Sequence, residues 1–254
     1  MEVCIFTRGK NEKLLNLINE LQNQTLKPVI KVFSDNYIDL WGVSVISTPG
    51  LNISQKRNLA IKTSEKEYLL LLDDDNKLKD NKFLEKLIDF YNKINFEPKI
   101  ISPLIMYRQT GLIQSWWVKF NYLFWKVFVN KKIKWDFWEV DAVWGNSLFS
   151  KKENFKKVFF DEKIGFIRED IDFAYSFREK WWKIFIVNLP IYHLERDKNI
   201  AEKSFVYKDA FRIKVKNRDI FVSKHWNLFQ KLWYWLFGRW VSLGWWFLKR
   251  LISK

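Results

Sequence analysis

Residues 68–75 constrain the fold of this chain more than any other segment. They place four consecutive leucines between a tyrosine and three consecutive aspartates. An unbroken apolar run of this length is typical of a strand buried on both faces, as in parallel sheets covered by helices. Because ligands of such sheets bind beyond the carboxyl ends of the strands, the aspartates that follow are candidate site residues.

The first ninety residues alternate between strand and helix patterns. Short apolar runs at residues 3–6, 29–33 and 43–46 predict strands. Leucines and isoleucines recur at helical spacing over residues 14–21, and residues 53–63 predict a second helix. The alternation predicts an α/β fold with a mostly parallel sheet flanked by helices.

The amino-acid composition excludes several classes of protein. The 254 residues are 48% hydrophobic and include 8 Gly and one Cys, which excludes general disorder, collagen-like repeats and a disulfide scaffold. A single Cys and no secretory signal predict a cytoplasmic protein.

The net charge of +15 suggests an anionic partner. Residues 212–254 hold ten basic and one acidic side chain, and therefore +9 of this total. As a helix, residues 224–254 would carry a basic stripe opposite an apolar face, although their uncharged runs fall short of the ~20 residues that span a bilayer. We expect this amphipathic tail to lie in an anionic membrane surface, or else to pack on the rest of the chain.

The aspartate run favours a divalent cation. If the strand stays extended, Asp73 and Asp75 point the same way, and Mg²⁺ or Mn²⁺ would relieve their repulsion. The alternative is a solvated turn after the strand.

Two further elements are candidates for chemistry. Glu169 and Asp170 stand where a helix should begin, so they either cap that helix or supply a general base. His193 follows an apolar strand and Pro190. It is a candidate site residue only if its side chain faces Asp75.

Together these motifs resemble the inverting family 2 glycosyltransferases with the GT-A nucleotide-sugar-binding fold, in their rhamnosyltransferase-like branch. The resemblance covers roughly residues 1–195 and includes the Asp-x-Asp motif, Glu169-Asp170 and Pro190-Ile-Tyr-His193, which is similar to the closing Pro-x-x-x-His pattern but has one residue fewer between Pro and His. It implies an enzyme that transfers a sugar from a nucleoside-diphosphate sugar to a hydroxyl of a glycan or lipid-linked acceptor, with inversion and with Mg²⁺ or Mn²⁺.

The resemblance also assigns roles to individual residues. Asp170 would be the base, with Glu169 beside it, and Asp75 would bind the metal, with His193 as a further metal or diphosphate contact. The donor nucleotide would be bound by the remaining candidates, which are Thr7, Asp35, Arg57, Asp73 and Asp74.

The chain departs from the family pattern at some positions. Residues are inserted or shifted after Thr7, and Asp35 lacks the usual Gly-Ser after it. Trp181 stands where the family commonly has Gly, in a chain with 15 Trp and only 8 Gly. One hypothesis is that some of these tryptophans are glycines whose codon has been read under the wrong genetic code.

We predict a catalytic domain over residues 1–205, as the resemblance implies, and, from its charge and apolar pattern, a membrane-associating tail over residues 206–254 at the inner face of the cell membrane. A polyprenyl-phosphate sugar synthase and a catalytically inactive protein with the same fold are alternatives. A basic nucleic-acid-binding protein is a third, but no zinc spacing, aromatic RNA-binding signature or basic heptad region supports it, so no nucleic-acid partner is expected.

Overall fold

The computed structural model describes residues 1–113, 119–121, 126–128, 135–193 and 205–238. Side chains are described in these ranges except at 119–121, 126–128, 205–211 and 238. Residues 239–254 of the predicted tail lie outside them.

A mixed β-sheet forms the centre of the chain. Its strands are β1 (Glu2–Thr7), β2 (Val29–Ser34), β3 (Ser44–Ser47), β4 (Tyr68–Asp73), β5 (Asn76–Lys77), β6 (Lys99–Tyr107), β9 (Phe137–Val140), β10 (Ser147–Lys151) and β11 (Lys183–His193). They follow the order β3-β2-β1-β4-β10-β6-β11-β5, with β9 paired to β11. Strands β1 to β4 are parallel, whereas β10 runs antiparallel to both β4 and β6. Short strands β7 (Lys119–Asn121) and β8 (Lys126–Phe128) pair separately.

The helices are α1 (Glu12–Gln22), α2 (Ile53–Thr63), α3 (Phe83–Lys93), α4 (Lys152–Lys156), α5 (Glu169–Arg178), α6 (Phe205–His225) and α7 (Leu228–Trp233), followed by a π-helical turn (Tyr234–Gly238). Helix α2 begins with a capping box between Asn52 and Gln55 and matches the predicted range of residues 53–63. Within the described ranges, no helix combines the length and the apolar character needed to cross a bilayer.

Alternation along the central strands divides the core into two layers. Val3 and Ile5 of β1 pack on the face covered by α1 and α3, whereas Cys4 and Phe6 pack with α2 and α5 on the other face. The leucines of β4 alternate in the same way, which explains why that run is apolar throughout. The expected α/β architecture is confirmed, and the carboxyl ends of β1, β2 and β4 open on one edge of the sheet.

Candidate active site

Arg57 joins three segments of the chain at this edge. Its guanidinium is buried, with Nη1 2.9 Å from Glu169 Oε1 and Nη2 3.3 Å from Asp73 Oδ1. Nη2 also donates a hydrogen bond to the carbonyl oxygen of Gly145 at 2.8 Å. One side chain of α2 therefore fixes the end of β4, the start of α5 and the loop before β10. Its buried position differs from the direct nucleotide contact that the family resemblance implies.

Gly145 is required by close packing against this guanidinium. A Cβ atom at this position would lie 2.7 Å from Arg57 Nη1, closer than real contacts allow. The Gly145 N–H donates to Asp170 Oδ2 at 3.0 Å. A single glycine thus connects Arg57 to the candidate base through its two backbone polar groups.

Asp170 lies in the first turn of α5, as the sequence predicted, and is buried together with Glu169. Its Oδ1 accepts a hydrogen bond from the backbone N–H of Ile171 at 2.8 Å. Burial, followed by the charge of Glu169, raises the pKa of Asp170 to about 7. A carboxylate whose pKa lies near neutral pH is suited to general-base chemistry.

The three aspartates turn toward three different partners. Asp73 contacts Arg57, whereas Asp74 Oδ2 accepts hydrogen bonds from the Thr7 hydroxyl at 2.6 Å and the Asn11 amide at 2.8 Å. Asp75 Oδ2 lies 3.1 Å from His193 Nε2. The condition under which Asp73 and Asp75 would point the same way, an extended strand, is not met, because β4 ends at Asp73 and the next two residues form a turn. Burial raises the pKa of Asp73 to about 6, against the opposing effect of Arg57.

Asp75 and His193 are the residues that fit a divalent cation. The described side chains contain no group of three or more His, Cys, Asp or Glu that would hold a metal by themselves. Mg²⁺ is commonly held by one or two carboxylates together with substrate phosphates and water. One carboxylate and one imidazole at the ends of β4 and β11 fit an ion that binds with a diphosphate.

Thr7 and Asp35 are connected by Lys56, which the sequence analysis did not single out. Lys56 Nζ lies 2.5 Å from Asp35 Oδ1 and donates to the carbonyl oxygen of Thr7 at 3.2 Å. The Asp35 side chain remains 37% exposed and therefore accessible to a ligand. Apart from its position next to Arg57 on α2, nothing in the sequence indicated that this lysine would be buried in the site.

The loop before Asp170 has an unusual backbone. Ile167 and Arg168 adopt left-handed conformations, with φ of 65° and 76°. Such conformations are rare for residues other than glycine and cluster at functional sites. The side-chain amide of Asn217 on α6 donates to the carbonyl oxygens of Phe166 and Ile167, at 2.6 and 2.7 Å. No sequence pattern pointed to Asn217.

Helix α6 is also attached to α5 through Asp172. The Asp172 carboxylate is fully buried, with Oδ1 2.8 Å from His225 Nε2 and Oδ2 2.7 Å from Lys224 Nζ. Trp226 and Tyr234 are buried near the same contact, in a small cluster that includes Tyr175 of α5. The described start of the basic tail thus packs on the rest of the chain.

Comparison with known proteins agrees with this geometry. Residues 2–159 match the model of glycosyl transferase family 2. Among solved structures, the chain is similar to S. aureus TarS 1-349 in complex with UDP-GlcNAc, with 17% identity over 89% of this chain and 68% of that one and a TM-score of 0.57.

A second structure of S. aureus TarS matches 89% of this chain at 17% identity and a TM-score of 0.50. The match covers only 44% of that protein's length. No curated protein matches the chain. The matched segment holds β1 to β10 and the aspartate run, whereas α5 and β11 follow it. The chain therefore belongs to glycosyl transferase family 2.

Proposed function

We propose that this glycosyltransferase moves a sugar from a nucleoside-diphosphate sugar to a hydroxyl of a glycan or lipid-linked acceptor, with inversion and with Mg²⁺ or Mn²⁺. The observation that carries the proposal is the contact of Arg57 with both Asp73 and Glu169. It fixes the aspartate run and the candidate base Asp170 at one edge of the sheet, where a donor and an acceptor would meet.

The donor belongs beside β1, β2 and β4. Thr7, Asp35 and Asp74 line this region, and Asp75 with His193 would hold a cation against the diphosphate. Such a cation offsets negative charge on a departing diphosphate. Binding of UDP-GlcNAc to TarS, a protein of the same fold, supports a nucleotide-sugar donor.

Asp170 would act on the acceptor. Its carboxylate accepts the proton of an acceptor hydroxyl as that oxygen bonds to the anomeric carbon and the bond to the diphosphate breaks. A single displacement inverts the anomeric configuration, and its transition state resembles an oxocarbenium ion. The hydrogen bonds from Gly145 and Ile171 fix the orientation of this carboxylate.

Donor binding tests the proposal directly. Calorimetry with a panel of nucleoside-diphosphate sugars and Mn²⁺ should identify a donor for the wild type. Asp75→Ala should weaken its metal-dependent binding by orders of magnitude, since few protein ligands hold the ion. Asp89→Ala, an exposed carboxylate on α3, is the matched control. Binding that is unchanged in Asp75→Ala would overturn the metal assignment.

We also propose that the enzyme acts at an anionic membrane surface. Leu228 and Phe229 are 75% and 79% exposed, and Leu232 and Leu236 are exposed beside them. Exposed apolar residues on a basic segment are typical of interfacial helices. A Leu228→Ser/Phe229→Ser variant should lose binding to anionic vesicles. Tyr37→Ser/Leu112→Ser, which removes two exposed apolar side chains elsewhere, should keep it. Equal binding of both variants would argue against this surface.

The finer identity of the substrates stays a prediction. Rhamnosyl transfer and synthesis of a polyprenyl-phosphate sugar both fit the proposed chemistry. The donor panel identifies which sugar the enzyme binds. The two activities are then distinguished by the acceptor that reacts with the bound donor.

A further inference from the structure

A basic cavity lies on α6, away from the aspartate run. It is an open depression of about 790 Å³ between one face of α6, the loop at residues 161–163 and Trp235. Four cationic side chains and two carboxylates line it, so its walls carry an excess of two positive charges. None of the residues that the resemblance assigns to the donor or the base contributes to it.

Both carboxylates of the cavity already have partners. Asp161 Oδ2 lies 3.3 Å from Lys224 Nζ, and Asp219 Oδ1 accepts a hydrogen bond from the Tyr234 hydroxyl at 2.5 Å. Among the described side chains, no acidic group pairs with the other three cations, Lys163, Arg212 and Lys216. Three cations that line one cavity, with no acidic partner among the described side chains, favour an anionic ligand.

The segment that contributes Trp235 to the cavity also carries exposed apolar side chains. Trp235 lines the cavity and is itself partly exposed, and it follows the exposed residues Leu228, Phe229 and Leu232 along the chain. A ligand that bound here would meet cations at one end and apolar side chains at the other. This combination fits a lipid phosphate better than a soluble anion.

Helix α6 connects the cavity to the active site. Arg212 and Lys216 face the cavity, and the next residue, Asn217, holds the strained loop that leads to Asp170. Helix α6 therefore joins the cavity to the loop that precedes the proposed base. We infer that this cavity binds the phosphate of a lipid-linked acceptor; the inference rests on the proposed function and names the acceptor class.

Vesicle binding tests this assignment. The probes are phosphatidylcholine vesicles, alone or with 20 mol% (about one lipid in five) of a polyprenyl monophosphate, at a salt concentration near physiological. We expect Lys163→Gln/Arg212→Gln/Lys216→Gln to reduce the phosphate-dependent partition coefficient roughly 100-fold, since each cation near an anionic surface contributes strongly. The matched control, Lys66→Gln/Lys82→Gln/Lys156→Gln, removes the same charge from exposed lysines elsewhere and should reduce it less than about 5-fold.

A second variant separates shape from charge. Ser223 lines the cavity and is exposed, so Ser223→Phe should fill part of it without changing any charge. Loss of phosphate-dependent binding in this variant supports binding of the phosphate inside the cavity. Unchanged binding would mean that a diffuse basic surface is enough, and the assignment would be wrong.

Other outcomes are equally decisive. Equal losses in the two triple variants would indicate a net-charge effect and overturn the proposal. Inorganic phosphate that binds the protein as tightly without vesicles as it competes with the lipid phosphate in their presence would assign the cavity to a soluble anion instead. Donor-binding calorimetry on the same proteins should be unchanged, so failure of the donor site and failure of this cavity are seen in different measurements.

Discussion

The guanidinium of Arg57 and the carboxylate of Glu169 form a buried ion pair, with Nη1 and Oε1 2.9 Å apart. The pair occupies Glu169, so of the two adjacent acids at the start of α5 only Asp170 is available as a base. We therefore propose that Glu169 is a positioning residue, which fixes the first turn of α5 and, through Arg57, the end of β4.

We expect Arg57→Ala to destabilise the fold by about 3–5 kcal/mol, because it leaves the buried carboxylate of Glu169, and the partly exposed one of Asp73, without their cation. Arg57→Lys keeps the charge but cannot reach Asp73, Glu169 and Gly145 together. Its free energy of unfolding should therefore lie between those of the wild type and Arg57→Ala. Urea denaturation measures the free energy of unfolding, with the exposed Arg8→Ala as control. A loss below about 1 kcal/mol in Arg57→Ala would show that the pairing is not structural.

Asp170→Asn should slow sugar transfer by roughly 10²–10⁴-fold, the usual contribution of a general base, while donor binding stays nearly intact. Glu169→Gln is the neighbouring control, and it should lower stability more than it lowers the rate of the remaining folded enzyme. Single-turnover rates and donor calorimetry on the same samples separate the two effects. Normal turnover in Asp170→Asn would leave this residue with a structural role only.

The pH dependence follows from the raised pKa of Asp170. Because a base must be deprotonated, kcat/KM of the free enzyme should rise with pH and reach half of its plateau near the pKa of about 7. At pH 5 it should be roughly 100-fold below the plateau, and a flat profile between pH 5 and pH 8 would contradict the assignment.

Stability should change in the opposite direction over the same range. Asp73 and Asp170 both have folded-state pKa values, of about 6 and about 7, above the ordinary value of 3.8. The folded protein therefore binds more protons than the unfolded chain between pH 4 and pH 7, so these groups make the free energy of unfolding fall as pH rises. Asp170→Asn removes one of the two contributions and should flatten this slope in urea titrations.

Periodicity and motif order predicted much of the fold, because both are local properties of the chain. The apolar run of β4 and the helix over residues 53–63 follow directly from spacing. Contacts between distant segments had no such signal. Lys56 with Asp35, and Asn217 with the loop before Asp170, join residues far apart in sequence, and only packing brings them together.

The directions of Asp73, Asp74 and Asp75 were also beyond sequence reasoning. Alternation holds only while the strand continues, and β4 ends at Asp73. Two hydrogen bonds of the Asn76 side-chain amide hold the turn: a local one to the carbonyl oxygen of Asp73 and a tertiary one to that of Asn146, both at 2.9 Å. No pattern within residues 68–75 encodes them.

Trp181 occupies a backbone position that favours glycine. It follows the end of α5 with a φ of 64°, and its side chain is 90% exposed. A left-handed conformation costs a residue with a Cβ about 1–2 kcal/mol, whereas glycine adopts it freely. The exposed indole contributes little packing to offset this cost, which agrees with the hypothesis that some tryptophans of this chain are misread glycines.

We therefore expect Trp181→Gly to stabilise the protein, by about 0.5–1 kcal/mol after the extra entropy of glycine in the unfolded chain is subtracted. Trp41→Gly is the matched control, because Trp41 is 96% exposed but is not among the residues with positive φ. Trp41→Gly relieves no backbone strain, so it should lower the free energy of unfolding by about 0.4–1 kcal/mol. Thermal and urea unfolding of the two variants measure the difference, and effects of the same sign would contradict the backbone argument. Mass spectrometry of the peptide that spans residue 181, from the native protein, then decides which residue the cell inserts there.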